Sequence, residues 1–197
     1  MNDKEKEAYN FLYHSLNSYT PISDETFEEL ISISQYIEID KNDSICKLNE
    51  IPESFFFVNK GLLRNYTLDE KGKEYNKIFF DEGTFPGSMA ALLQNEPSSF
   101  EIQAVEKCQL IKIDFMKYRD LLIKSHDLKL FHIYYLEQNW LIKKELREIS
   151  IIQEDAQLRY ENFLEDYPTL EPRLTQYHIA SHLGITPTQL SRIRKKL

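Results

Sequence analysis

Residues 37–113 are divided into short β-type segments separated by turn signals, and this pattern constrains the fold more than any other feature of the chain. Ile37 and Ile39 alternate with Glu38 and Asp40. Segments 55–58, 62–66, 77–80, 102–105 and 110–113 follow, and Asn59-Lys60-Gly61, Asp69-Glu70-Lys71-Gly72 and Asp81-Glu82-Gly83 mark turns among them. Strands this short and evenly spaced predict an antiparallel roll or barrel in place of βαβ units.

Helical texture lies on both sides of this block. Phe11, Leu12 and Leu16, then Phe27, Leu30 and Ile31, recur at helical spacing, with Ser23 as an N-cap ahead of Asp24 and Glu25. After the block, Asp114 is placed to cap a short helix through Leu122, and residues 127–153 run without Gly or Pro. Within that run Leu128, Tyr135, Ile142 and Ile149 form a heptad row, with Phe131 beside it. Such a repeat predicts a helix packed along a second helix. Gln138, Asn139 and Glu145 interrupt the seam, so a helix lying on the β block stays open as the alternative. Another amphipathic helix is expected over 155–166, before Pro168 and the Glu171-Pro172 link.

The last residues predict a helix-turn-helix. Ile179 and Leu183 give a first helix its inner face, Ala180 is small enough for a second helix to approach, and Gly184 stands at a turn that favours positive φ. Thr186, Pro187 and Gln189 then read as N-cap, first helical position and third position of a capping box. Leu190, Ile193 and Leu197 face inward, while Thr188, Arg192 and Lys195 share the opposite face with Ser191 beside them. Arg192 suits a bidentate contact to guanine, Thr188 and Gln189 suit base edges or phosphate, and Lys195 with Lys196 suits phosphate. A plain helical hairpin with a solvated basic face is the competing reading.

The net charge of −8 is unevenly placed. Residues 173–197 hold Arg173, Arg192, Arg194, Lys195 and Lys196 and no acid, a local +5 that leaves −13 on residues 1–172. An acidic body with a short basic end fits a small module that meets phosphate, though a solvated tail would carry the same charge. Twelve Phe and twelve Tyr supply apolar surface for a core. No apolar run approaches the ~20 residues of a membrane span. The N-terminus does not read as a signal peptide, and Cys46 and Cys108 lie far apart, as a reducing cytoplasm allows. No Ser-His-Asp, P-loop or paired-carboxylate arrangement is present, so no enzyme chemistry is expected. Two cysteines cannot supply an iron–sulfur centre, and none of His14, His126, His132, His178 and His182 lies on a β segment, so no metal site is expected. His178 and His182 are spaced i,i+4 but lack a third ligand.

The C-terminal motif resembles the helix-turn-helix of the Crp/Fnr family. Phe57-Val58-Asn59-Lys60-Gly61-Leu62-Leu63-Arg64, Asp69-Glu70-Lys71-Gly72-Lys73-Glu74 and Glu82-Gly83-Thr84-Phe85-Pro86-Gly87 resemble that family's cyclic-nucleotide-binding roll, so the resemblance covers almost the whole chain. It implies an α+β fold with an antiparallel β-roll (a double-stranded β-helix) and N-terminal helices over 1–125. A dimerisation helix over 126–153 would follow, then an all-α helix-turn-helix domain over 154–197 with no wing. The implied partners are double-stranded DNA at a two-fold-related site, half-sites ~34 Å apart, a second copy of the chain, and, as an open addition, RNA polymerase. The DNA-binding residues would be Thr186, Thr188, Gln189, Ser191, Arg192, Lys195 and Lys196, and the dimer helix would use Leu128, Phe131, Tyr135, Ile142 and Ile149. The effector pocket would comprise Gly87, Ser88, Met89, Ser98 and Ser99. In members that bind cyclic AMP, this segment supplies a Glu for the ribose and an Arg, followed by Ser, for the phosphate. Here those positions hold Ser88 and Ser98-Ser99, so the charge-assisted phosphate anchor is missing. Cyclic AMP is therefore not expected through the usual contacts, and the effector stays unnamed. Lys143 and Lys144, at the family's base-contacting pair, read as solvated lysines. The rival function is a ligand- or protein-binding sensor whose C-terminal helices only scaffold.

Overall fold

A computed structural model describes residues 1–145 and 154–197. Two capped helices open the chain. Asn2 accepts the Glu5 N–H at 2.9 Å ahead of α1 (Asp3–Asn17), and Ser23 accepts the Thr26 N–H at 3.2 Å ahead of α2 (Asp24–Ser32). Strands β1 (Ser34–Ile39), β2 (Ser44–Cys46), β3 (Ser54–Lys60), β4 (Leu63–Leu68) and β5 (Glu74–Phe80) follow, then α3 (Met89–Gln94), β6 (Glu101–Ala104) and β7 (Cys108–Asp114). All pairings are antiparallel, in a three-stranded sheet β1-β7-β3 and a four-stranded sheet β2-β6-β4-β5. This is the expected roll.

Its two faces explain the unbroken apolar run in β3. Phe56 and Val58 point between the sheets, into a cluster with Leu63, Phe80, Ile102 and Leu110. Phe55 and Phe57 point the other way, against Leu12 and Leu16 of α1 and Ile111 and Ile113 of β7. Period-two geometry with both faces covered removes the usual polar alternation.

After β7, Asp114 accepts the Lys117 N–H at 3.0 Å and caps α4 (Phe115–Lys124). Helix α5 (His126–Leu136) continues directly into a π-helical turn, Glu137–Ile142. Asp127 ties α5 to α2: its carboxylate accepts the Ser23 N–H and hydroxyl, both at 2.9 Å, and the Thr26 hydroxyl at 3.0 Å. The heptad reading is corrected here. Leu128 and Phe131 are buried in the protomer's own core. Tyr135 packs beside them, its ring 5.1 Å from Phe85 and 5.7 Å from Tyr19. A seven-residue repeat says that one stripe of the helix is covered, not what covers it; in this half the roll and α1–α2 do. Ile142 is exposed, and Ile149 lies outside the described residues.

Helix α6 (Ala156–Asp166), a 3₁₀ turn (Glu171–Arg173), α7 (Gln176–Leu183) and α8 (Pro187–Arg194) complete the described chain. Their inner faces share one cluster with the roll: Tyr160, Phe163, Leu170, Ile179, Leu183 and Leu190 pack with Leu62, Phe79 and Val105. The C-terminal helices are thus docked on the roll by apolar burial.

Candidate nucleic-acid interface

Local chemistry builds the α7–turn–α8 unit. Thr175 accepts the His178 N–H at 3.2 Å and starts α7. Gly184 ends it at φ 70°, and the Ile185 N–H reaches back to the Ala180 carbonyl at 3.0 Å. A Cβ at Gly184 would meet nothing within 4 Å, so the turn angle, not crowding, calls for glycine. The Thr186–Gln189 capping box is formed, with Pro187 in the first turn of α8. Gln189 Oε1 accepts the Thr186 N–H at 2.9 Å, which leaves only its amide N–H groups to face outward.

Leu190 is fully buried beneath α8 and Ala180 is fully buried in α7, where the two helices meet. On the other side Thr186, Thr188, Gln189, Arg192, Lys195 and Lys196 are exposed, and Ser191 is half-buried. All seven residues named from the sequence are therefore exposed or half-buried. The five cations of the basic end divide into two groups. Arg173 clamps the C-terminal helices to the roll: its guanidinium donates to both Glu82 oxygens at 3.0 Å and to Glu106 at 2.6 Å. Burial acts to lower the Arg173 pKa, but the two carboxylates outweigh it and raise it. Glu82 is held below the usual carboxylate range, since Arg173 and the Gly61 N–H outweigh its burial. Arg194 is engaged by Glu171 at 3.0 Å. Arg192, Lys195 and Lys196 have no ion pair among the described residues.

Helix α7 also closes an open sheet edge. β5 borders the four-stranded sheet, and the Ser181 hydroxyl accepts its Asn76 N–H at 3.0 Å while donating to the Glu74 carbonyl at 2.7 Å. His182 Nδ1 lies 3.2 Å from the Asn76 carbonyl. Next to this seam the buried Arg64 guanidinium bonds Glu74 and Gln103 and lies 4.0 Å over the Tyr66 ring. Arg64 lowers the Glu74 pKa. His178 is also depressed, first by burial and then by Arg64, and its Nδ1 is buried with no hydrogen-bond partner.

The expected effector segment is partly assembled. Gly87 is required by close approach, because a Cβ there would lie 2.8 Å from Phe55 Cβ. Ser88 and Ser98 are buried and touch, with Ser98 Oγ 2.9 Å from Ser88 Oγ and 2.7 Å from the Phe100 carbonyl. Met89 is half-buried beside Gly87, whereas Ser99 is exposed. Lys143 and Lys144 are exposed. Among the described residues no group of three or more His, Cys, Asp or Glu is arranged to hold a metal ion, and no helix is long and apolar enough to cross a membrane.

Sequence reasoning missed three features here. The outward apolar row on the long helix is Ile133, Leu136, Trp140 and Leu141, which are exposed. Its i, i+3, i+7, i+8 spacing was the available signal. The clamps of Arg173 and Arg194 had no such signal, because their partners are set by the fold.

Residues 36–125 match the family model described as a cyclic nucleotide-binding domain. The cAMP-activated global transcriptional regulator CRP of Salmonella typhimurium is 23% identical over 108 residues, 55% of this chain and 51% of that protein. The CRP of Pasteurella multocida is 25% identical over 114 residues, 58% of this chain and 54% of its own. The match thus spans about half the length of these curated relatives. Among solved structures, the c-di-GMP responsive global regulator CLP of Xanthomonas campestris superposes with a TM-score of 0.67 at 16% identity, covering 88% of this chain and 91% of CLP. A CooA variant from Carboxydothermus hydrogenoformans gives 0.68 at 22% identity, covering 94% and 83%. These structures share the roll together with its C-terminal helices. Residues 36–125 thus carry a cyclic nucleotide-binding domain, and the roll with its C-terminal helices has the fold seen in CLP and CooA.

Proposed function

We propose that the protein is a sequence-specific, DNA-binding transcription regulator that acts in the cytoplasm as a homodimer and reads DNA with α8. The sorting of the basic end carries this reading: Arg173 and Arg194 are neutralised inside the protein, while Arg192, Lys195 and Lys196 stay exposed around the face of α8 opposite Leu190. Unpaired cations on a short, well-footed helix suit phosphate neutralisation and guanine contact in a major groove, and Thr188 adds a hydroxyl for a base edge. The acidic remainder of the chain would be repelled by phosphate and would keep the reading end foremost.

Dimerisation would use the outward row Ile133, Leu136, Trp140 and Leu141 in place of Leu128 and Phe131, which are already covered. The curated relatives are named as cAMP-activated and CLP as c-di-GMP responsive. In this chain the buried Ser88–Ser98 contact offers a cyclic phosphate no guanidinium, so we place cyclic AMP outside the effectors held by the usual contacts.

The test is selection of bound duplexes from a random pool by the purified chain. The expected outcome is a two-fold-related site with half-sites one helical turn, ~34 Å, apart. Recovery of no preferred sequence, with binding that vanishes at moderate salt, would favour the sensor reading.

A further inference from the structure

We infer that Arg194, Tyr160 and Glu171 act as a positioning triad that sets the rotation of α8 about its own axis, and thereby chooses which side chains meet the bases. This rests on the reading of α8 as the DNA-reading helix. Arg194 Nε donates to the Tyr160 hydroxyl at 3.0 Å, and its terminal nitrogen lies 3.0 Å from Glu171 Oε1. The Tyr160 hydroxyl donates to the same Glu171 oxygen at 2.6 Å. The guanidinium also lies over the Tyr160 ring, 5.6 Å from its centre. Each member comes from a different element: α6, the 3₁₀ turn and α8.

α8 needs such an anchor. It has eight residues, and Leu190 is the one residue of it that is buried. A two-turn helix on so narrow a footing can roll about its axis. At 100° per residue Arg194 sits about 40° from Leu190, on the inner side, and about 160° from Arg192. A roll of ~20° would carry a side-chain tip ~6 Å from the axis through about 2 Å, more than a bidentate base contact tolerates. The Tyr160 ring is itself fixed, being 2% exposed and packed in the cluster that joins the C-terminal helices to the roll. The triad therefore transmits the placement of that cluster to α8. By charge alone Arg194 would count as one more phosphate contact; its geometry assigns it to orientation.

The two roles differ in salt dependence. A phosphate contact contributes to the slope of log affinity against log salt on every duplex, and its loss lowers that slope by about 1. A positioning residue changes discrimination and leaves that slope intact. The measurement compares Arg194→Met, Arg194→Lys and Tyr160→Phe with the wild type, on the selected duplex and a scrambled one, over a salt series. Expected is a loss of about tenfold on the selected duplex for Arg194→Met, a similar loss for Arg194→Lys because the planar fork is gone, and a smaller one for Tyr160→Phe. Scrambled-duplex affinity and salt slopes should match the wild type. A shallower slope with equal losses on both duplexes would overturn the inference, as would wild-type affinity in the lysine variant. If the wild type selects no duplex, the DNA-reading assignment itself fails; if it selects one and Arg194→Met is indistinguishable, only the positioning role fails.

Discussion

Phe79→Ala probes the docking of the C-terminal helices on the roll, since this β5 side chain is buried by them. Its ring is 2% exposed and lies 6.3 Å from Phe163, 6.2 Å from Tyr167 and 5.1 Å from His182. A buried phenylalanine removes about 150–250 Å² from water, or roughly 4–6 kcal/mol at ~25 cal/mol per Å². A compact unfolded chain reduces that by about 10–40%, while the cavity left behind adds to it, so the expected cost is about 3–5 kcal/mol. At about 2–4 °C per kcal/mol for a chain of this size, the melting midpoint should fall by roughly 6–20 °C. Urea denaturation followed by circular dichroism gives the free energy. Amide hydrogen exchange over α7 then shows where it acts: Gln176–Leu183 should lose protection together with β5. A cost below about 1 kcal/mol, or unchanged protection in α7, would refute the shared core.

Two further outcomes follow from the charged seam. Arg173→Met leaves Glu82 and Glu106 without their shared partner, and because both carboxylates are partly solvated the cost should be about 1–2 kcal/mol at neutral pH. Glu82 has a depressed pKa, so the clamp's contribution is present above the ordinary carboxylate pKa and lost as pH falls through the depressed value. The stability gap between wild type and variant should therefore narrow in acid, and an equal gap at pH ~7 and pH ~3 would contradict the clamp. His178 shows the opposite sense, because burial, then Arg64, keeps it neutral in the fold. Its unfolded form takes up a proton near ~6.5, so its contribution is complete above that pH and lost as pH falls below it. His178→Gln should make the stability profile shallower between pH ~7 and ~5, leaving the same-sign slope of the depressed His132. Parallel profiles would remove His178 from the account.

What the sequence disclosed depended on the range of the interaction involved. The caps at Ser23, Asp114 and Thr186 were readable because donor and acceptor lie within three residues of each other. Strand β3 was readable because both its faces are apolar, whereas the three-residue β2 carries no period to detect. Only the first half of the heptad row, Leu128 and Tyr135 with Phe131 beside them, is a covered stripe, and its cover includes the protomer's own Phe85 and Tyr19, which no local pattern announces. The charge count likewise saw five equal cations at the C-terminal end. Only folding distinguishes Arg173, whose partners lie 91 and 67 residues away, from Arg192, which has none among the described residues. The segment expected to hold an effector does come together, with Gly87, Ser88 and Met89 adjacent and Ser98 close by, but the contact between the two serine hydroxyls is set by the fold and could not be read from the sequence.

The most direct test of the central claim is the affinity of Arg192→Ala for the duplex that the wild-type protein selects, measured against single base-pair variants of that duplex. The expected result is a loss of about 1–3 kcal/mol and relaxed discrimination at one base pair in each half-site, with the other positions still read. Wild-type affinity and unchanged discrimination in Arg192→Ala would show that α8 does not read the DNA.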